Sequence, residues 1–462
     1  MCEGWSTFGV DLHLELGASG GRRAALERVL REAIRSGRLR PGARLPSTRA
    51  LAVELGLSRG TVSAAYYQLT AEGYLLPRVG SGTVVAGLTG AGQPAPGLAA
   101  AGAHAVPRYD LRPGNPDVTT FPVTAWLRST RRALATAPAG AYNYGEPAGR
   151  IELRSALAEY LGRTRGVVAS PDRIVVTSGY VQALALLTAV TVAGRTVAME
   201  DPGMPYHREV VRRAGAEVAA LPVDERGART DQLGAGVAAA VLTPAHQYPL
   251  GATLHARRRR AAAEWADIHD GLIIEDDYDG EFRYDRQPVG AMQGIAPDRV
   301  AYVGTVSKTL GPAVRLAWVV LPERLVAPFL AAKYHADHST GVLGQLTLAD
   351  LIATHGYDRH VRAVRLRYRR RRDLLVRRLA PHGAVEGIAA GLHAVIRPPA
   401  TGRSEAVLLA AAAEYGLALG GLRGHWHTAD DHPDGLIIGY GTPAEGRYAA
   451  AIDQLARLLR AR

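Results

Sequence analysis

Ile273-Ile274-Glu275-Asp276-Asp277-Tyr278-Asp279-Gly280-Glu281-Phe282 is the stretch on which the reading of this chain turns. A short apolar run feeds directly into a cluster of acids. Any one of these acids could belong to a solvated loop. An apolar strand that ends on several of them places carboxylates at a sheet edge, and in α/β sheets ligands sit beyond the carboxyl ends of the strands. Asp276 and Tyr278 alternate along an extended chain, so both can face the same side. The texture recurs on either side. Arg173–Thr177, Ala239–Thr243, Gly271–Glu275, Val300–Gly304 and Leu316–Leu321 are apolar runs separated by longer amphipathic helical patterns. This rhythm predicts an α/β domain with a mostly parallel, buried sheet from about residue 108 onward.

After the acids comes Val303-Gly304-Thr305-Val306-Ser307-Lys308-Thr309-Leu310-Gly311-Pro312, with Arg315 beyond it. The chain has two lysines, Lys308 and Lys333, and every other cationic side chain apart from histidine is arginine. Arginine can replace lysine as a surface charge, but not as an amine that loses its proton and attacks an aldehyde. A lysine kept in a Gly/Ser/Thr-rich turn points to a Schiff base, and the obvious aldehyde is pyridoxal 5′-phosphate (PLP). The plainer alternative is a surface lysine that drift has not removed. In a PLP site a carboxylate such as Asp276 keeps the pyridine nitrogen protonated, and a hydroxyl such as that of Tyr278 lies beside the ring oxygen. The phosphate needs backbone amides at a helix N-terminus. The segment Ile174–Ala183 offers a strand, a Ser178-Gly179 turn and a helix start at Tyr180. Thr305, Ser307 and Arg315 could complete the cradle.

The first 86 residues read differently. Residues 22–34 have helical periodicity. Ser47 is a good N-cap for a helix over about 48–55, and Ser58 caps a second over about 59–72 that buries Val62, Ala65, Tyr66 and Leu69. Two short helices joined by a glycine turn form a helix-turn-helix. Tyr74 to Val85, with its Gly80-Ser81-Gly82 tip, reads as a hairpin wing. The first turn of the second helix, with Arg59, Thr61 and Ser63, would reach base edges in a major groove. Residues 87–107 have linker composition, small and Pro/Gly-rich. The expected division is therefore 1–86, a linker 87–107, and 108–462.

Composition narrows the function classes. A formal net charge of +12 suits a polyanionic partner. One cysteine, Cys2, excludes an internal disulfide, and there is no signal pattern or apolar stretch long enough to span a membrane, which fits the cytoplasm. His425, His427, Asp431 and His432 fit no common metal spacing, so no metal is expected. The arginine runs 257–260 and 365–372 read as solvated helix faces, with the alternative that one extends a DNA-binding surface.

Leu-Pro-Ser-Thr-Arg at 45–49, Gly-Leu-Ser-Arg-Gly-Thr-Val at 56–62, Glu72-Gly73-Tyr74 and Gly80-Ser81-Gly82-Thr83 resemble the GntR family of winged-helix regulators. The resemblance implies that Arg49, Arg59 and Thr61 contact DNA, together with Ser58 and Ser63 at the same helix start and Gly80 in the wing. From about 108 the chain resembles fold-type I aminotransferases, through Tyr144-Gly145-Glu146-Pro147, Glu200-Asp201-Pro202-Gly203, Thr243-Pro244-Ala245-His246-Gln247-Tyr248-Pro249-Leu250-Gly251, the acid cluster and the lysine loop. It implies PLP bound near His246 and a homodimer in which Tyr144 reaches the partner's cofactor phosphate. Met204 stands where relatives often carry a stacking aromatic, so either Tyr206 takes that role or the stack is absent, and Arg208 nearby could grip an effector carboxylate. Leu436 stands where aminotransferases carry a carboxylate-clamping arginine, and leucine cannot form such a clamp. Arg397 or Arg423 could substitute.

Together the two halves resemble the MocR/GabR subfamily. That implies a head-to-tail dimer and a DNA-binding transcriptional regulator sensing a small amine or amino acid, or PLP itself, through an aldimine on Lys308. The rival reading is an active aminotransferase with an appended DNA-binding domain.

Overall fold

The computed structural model describes residues 21–78, 82–87, 107–285, 289–397, 403–428 and 432–460. The chain divides into two compact units, Met1–Ala105 and Val106–Arg462. Gly80 and nearly all of the expected linker lie outside the described residues.

In the first unit, helices α1 (Arg22–Arg35), α2 (Thr48–Glu54) and α3 (Arg59–Ala71) precede a hairpin of β1 (Leu75–Arg78) and β2 (Gly82–Val85). Both helix starts use the expected caps. Ser47 Oγ accepts from Ala50 N, and Ser58 Oγ from Thr61 N, each at 3.1 Å. Leu26, Leu30, Leu51, Val62, Leu69 and Leu75 close one core. The buried Tyr66 hydroxyl donates to Pro46 O at 3.0 Å, fixing α3 against the turn that precedes α2.

The second unit is built on an eight-stranded sheet. Its strands are β4 (Ile174–Thr177), β5 (Thr196–Asp201), β6 (Glu217–Asp224), β7 (Gly227–Ala228), β8 (Val237–Leu242), β9 (Leu272–Asp277), β10 (Val300–Thr305) and β11 (Ala317–Val320), in the order β4-β11-β10-β9-β8-β5-β6-β7. The central pairs are parallel, while β11 is antiparallel to both its neighbours and β7 to β6. Parallel strands buried on both faces need near-continuous apolar sequence, and β8, β9 and β10 supply it. Residues of α6 (Tyr180–Thr191), α7 (Pro205–Arg213) and α9 (Glu323–Asp337) share one cluster with the sheet. Residues of α5 (Ile151–Arg165) and α10 (Val342–Ala353) share another, and α4 (Val123–Thr136) packs on α10. Trp265 of α8 (Ala256–Ile268) packs at the β8–β9 side.

A smaller antiparallel sheet, β12 (Ala384–Glu386), β13 (His393–Arg397), β16 (Leu436–Gly439) and β15 (Gly420–Gly421), shares a core with α11 (Gly356–Leu379), α12 (Glu405–Glu414) and α13 (Glu445–Arg460). The short pair β3 (Tyr109–Asp110) and β14 (Leu417–Ala418) flanks it. No described helix is long and apolar enough to cross a membrane.

The arginine runs are not wholly solvated. Arg259 is buried and donates to the carbonyls of Leu254, Gly290 and Pro244. Arg371 is buried against Asp117 and the carbonyls of Tyr440 and Gly441. One residue of each run is thus a pin between loops, which mean helix polarity cannot reveal.

Candidate functional site

At the carboxyl ends of β5, β8, β9 and β10 the sheet opens into a cavity of about 260 Å³. Glu200, Thr243, Asp276, Tyr278, Thr305 and Lys308 enter it from strand ends and the turns that follow. Tyr180 and His207 enter from the starts of α6 and α7, and Leu392 and His393 from the smaller lobe. The parallel register sets Asp276 beside Val303 and Asp277 beside Gly304, which aligns the acid cluster with the strand that leads to Lys308.

The acids have different fates. Asp277 forms a two-point ion pair with Arg165, at 2.7 and 2.9 Å, and accepts from the Tyr302 hydroxyl at 2.6 Å. Arg165 also donates to Gly280 O and Val289 O. Asp279 lies 2.9 Å from His246 Nδ1, and the Tyr278 hydroxyl is 3.2 Å from the same nitrogen. Asp276 is buried with Oδ1 unpartnered, and the Tyr180 hydroxyl is likewise unpartnered. Burial pushes the Asp276 carboxyl well above the usual range. The nearby Tyr180 hydroxyl pulls it down, and Asp277, Asp279 and Glu200 push it further up.

Lys308 Nζ donates to Gly114 O at 2.6 Å. Burial lowers its pKa, partly countered by Asp279 and Asp276. Burial brings His207 down to about 4, with Lys308 adding to the effect, so the imidazole facing the lysine is neutral.

The other end of the cavity suits an anion. Gly179 is the N-cap of α6 and has no side-chain cap. Its φ is 144°, and a Cβ there would stand 2.9 Å from Arg315 Nη2, so glycine is what lets the guanidinium reach the helix start. Arg315 has φ 54°, and among the described residues its guanidinium has no hydrogen-bond or ion-pair partner. Thr305 Oγ1 and Ser307 Oγ are 2.8 Å apart beside it. A buried carboxylate with a bare oxygen, an amine of lowered basicity, and a helix start with a free guanidinium are the complements of a pyridine nitrogen, an aldehyde and a phosphate. The site therefore fits PLP.

Lys308, Asp276, Tyr278, Tyr180, Thr305, Ser307 and Arg315 thus meet at one cavity, with Gly179 at its phosphate-suited end. Ser178 does not line it; its amide and hydroxyl both donate to Gln182 Oε1. His246 stands behind Tyr278 rather than in the wall. Tyr144 is 83% exposed, beside His338 in a separate groove.

Three expectations are corrected. Tyr206 is 60% exposed and does not line the cavity; His207 does, 4.7 Å from the Tyr180 ring. Pro205 opens α7, and a shift of one residue turns a helical side chain by about 100°. Arg208 touches the cavity, but its guanidinium donates to Gly203 O (3.2 Å), His425 O (2.8 Å) and Trp426 O (3.1 Å) rather than waiting for an effector carboxylate. Leu436 belongs to the core formed with α11 and α13, while Ile437 is its neighbour on the opposite face of β16 and packs with Val395 and Leu422. Residue 436 therefore faces away from any ligand.

Met204, which stands where relatives often carry an aromatic, lines the cavity, as do Gly114, Tyr248, Leu392 and His393, which the sequence reading did not single out. Tyr248 lies in the Thr243–Gly251 motif, which is its signal in the sequence; His393 has none. Of the histidine-rich loop, His425 bonds Tyr248, His427 bonds the Asp201–Glu200 turn and His432 stacks on Trp426, while Asp431 lies outside the described residues.

In the first unit Arg49, Ser58, Arg59 and Ser63 are exposed and Thr61 is half-buried. Ser58 and Thr61 hydroxyls bond each other at 2.8 Å within the cap. Arg59 and Ser63, four residues apart, share the outer face of α3 with the exposed Tyr67.

Comparison with known proteins agrees with both units. Residues 109–401 match the family "Aminotransferase class I and II", and residues 23–85 match "Bacterial regulatory proteins, gntR family". The chain is 32% identical to the HTH-type pyridoxine biosynthesis transcriptional regulator PdxR of Corynebacterium glutamicum, over 91% of this chain and 92% of that one. It is 35% identical to the probable rhizopine catabolism regulatory protein MocR of Rhizobium meliloti, over 80% of each. Among solved structures, a kynurenine aminotransferase from Pyrococcus horikoshii matches with a TM-score of 0.70 and 25% identity, over 76% of this chain and 90% of that one. The cofactor implied by this fold and these relatives is PLP. The chain belongs to the MocR-type family of HTH transcriptional regulators, in which a gntR-type DNA-binding module is joined to an aminotransferase class I and II domain.

Proposed function

We propose that this regulator binds an operator through its winged helix and uses the PLP site of its large unit to sense a small amine, with the DNA-bound state as output. The observation that carries this reading is the cavity in which Lys308, Asp276 and Arg315 meet. When bound, PLP supplies an aldehyde that a lysine or an incoming primary amine can hold covalently.

The protein's own groups have distinct tasks in this reading. Lys308, with its basicity lowered by burial, provides the amine. Asp276 holds a proton shared with the pyridine nitrogen, and Tyr278, backed by His246 and Asp279, offers its hydroxyl to the ring oxygen. Gly179, Thr305, Ser307 and Arg315 bind the phosphate. Tyr144 is exposed on its own chain and reaches the partner's site in a head-to-tail homodimer. Arg49, Arg59, Thr61 and Ser63 meet the DNA, and the whole operates in the cytoplasm. A ligand that binds two conformations of the large unit unequally shifts their populations, and the paired winged helices with them.

A second reading, in which PLP supply itself is the signal, is favoured by the similarity to a regulator named for pyridoxine biosynthesis. Transamination of α-amino acids is disfavoured in this reading, because Arg208, the cation nearest a substrate carboxylate, is engaged with backbone carbonyls.

The test is operator affinity, selected from genomic fragments and measured with and without PLP and then with amines. Affinity that responds in the wild type and not in Lys308→Ala supports the proposal. A response to PLP alone favours the second reading, and affinity indifferent to both refutes the coupling.

A further inference from the structure

From the side of the cavity away from Arg315 we infer that the ligand joining PLP in this site is a primary amine without an α-carboxylate, carrying an aromatic or apolar tail. This inference rests on the PLP-sensor reading and specifies its ligand. An amino acid would bring a carboxylate into this space, and a buried carboxylate needs a cation or several donors.

The guanidiniums that could answer it are already bound elsewhere. Arg208 holds the carbonyls of Gly203, His425 and Trp426. Arg397 holds Glu386 and the carbonyls of Pro433 and Asp434. Arg423 pairs with Asp434 at 2.9 Å. Moving Arg208 to a ligand would strand two loop carbonyls. It would also loosen the segment 425–427, which is further held by Gly203 N on His425 O and by His427 N on Asp201 Oδ1.

Apart from Arg208, whose donors are turned to the loop carbonyls, this side is largely uncharged and flat. Tyr248 has its hydroxyl 3.2 Å from His425 Nε2. His393 is buried with Nε2 3.0 Å from Pro249 O, and burial keeps it uncharged, as it does His207. Leu392 and Met204 complete the wall. Imidazole, phenol and aliphatic faces suit a ring or hydrocarbon tail. Behind Lys308 stand the buried acids Asp276 and Asp279, which offer a ligand carboxylate no cation.

Matched pairs that differ only in the carboxylate test this directly. The full-length, PLP-loaded protein is titrated with 2-phenylethylamine against L-phenylalanine, and with 3-methylbutylamine against L-leucine, following the visible absorption of the bound cofactor. The expected result is half-saturation by each amine at a concentration at least about tenfold below that of its amino acid, since an unpaired buried polar group is disfavoured by at least that factor. Equal or tighter binding of the amino acids overturns the inference, as does a spectrum that neither class perturbs. If the protein shows no cofactor spectrum at all, the underlying PLP reading has failed instead, and the two failures are thereby distinguished.

Discussion

In the winged-helix unit the side chains proposed to meet DNA stand in solvent: Arg49, Arg59 and Ser63 are exposed on helix starts and an outer helix face. In the large unit Asp276, Asp277 and Asp279 are all buried, within four residues of one another. A surface that reads a polyanion can leave its cations unpaired, because water solvates them until the partner arrives. A cavity cannot. Two of the three buried aspartates have partners, Arg165 for Asp277 and His246 for Asp279, and only Asp276 keeps a bare oxygen. The difference teaches where to look for a ligand: at exposed cations in one unit, and at a buried carboxyl with an unpartnered oxygen in the other.

The largest effect expected from this contrast is on stability. Arg165→Ala strips the buried Asp277 of its ion-pair partner, and should cost about 3–5 kcal/mol in chemical denaturation. Arg59→Ala, at an exposed site, should stay within about 0.5 kcal/mol of wild type. Similar losses from both would break the contrast. On DNA the order should reverse: Arg59→Ala should weaken operator binding by about 1–3 kcal/mol and lower its salt dependence, while Arg165→Ala, where folded, should not lower it.

A pH experiment sharpens the large-unit side. Burial, helped by Asp277, pushes the Glu281 carboxyl from 4.5 up to about 7, with Arg165 opposing. The folded state therefore holds a proton that the unfolded state releases, so this group's contribution to stability falls as pH rises between those values. The stability of wild type minus that of Glu281→Gln should decline across pH 4.5–7 by about 2–3 kcal/mol and then level off. A rising difference would contradict the assignment. Ser58→Ala is expected to destabilise by about 1 kcal/mol, through loss of the α3 cap, read as a lower melting midpoint of the first unit.

The same contrast explains what could be read in advance. Caps and turns are local, so Ser47, Ser58 and the helix limits of the first unit were legible residue by residue. In the large unit the strand that ends in acids, the isolated Lys308 and the Ser178-Gly179 turn were legible because strand ends and helix starts have chemical signatures. Side-chain direction was not. Choosing Tyr206 over His207 depended on where α7 begins, and choosing Leu436 over Ile437 depended on which face of β16 meets the lobe core. Arg208 looked free because the carbonyls that capture it, those of His425 and Trp426, lie more than two hundred residues away in sequence. Arg259 and Arg371 were hidden inside charge runs for the same reason.

The most direct test of the central claim is the visible absorption spectrum of the purified protein with PLP, recorded beside Lys308→Ala and with circular dichroism to show that both are folded. A band of lysine-bound pyridoxal in the wild type, absent from the folded variant, is the expected result. Identical spectra, or no band in either, would contradict the claim that this cavity is a PLP site and leave DNA binding by the winged helix as the only function standing.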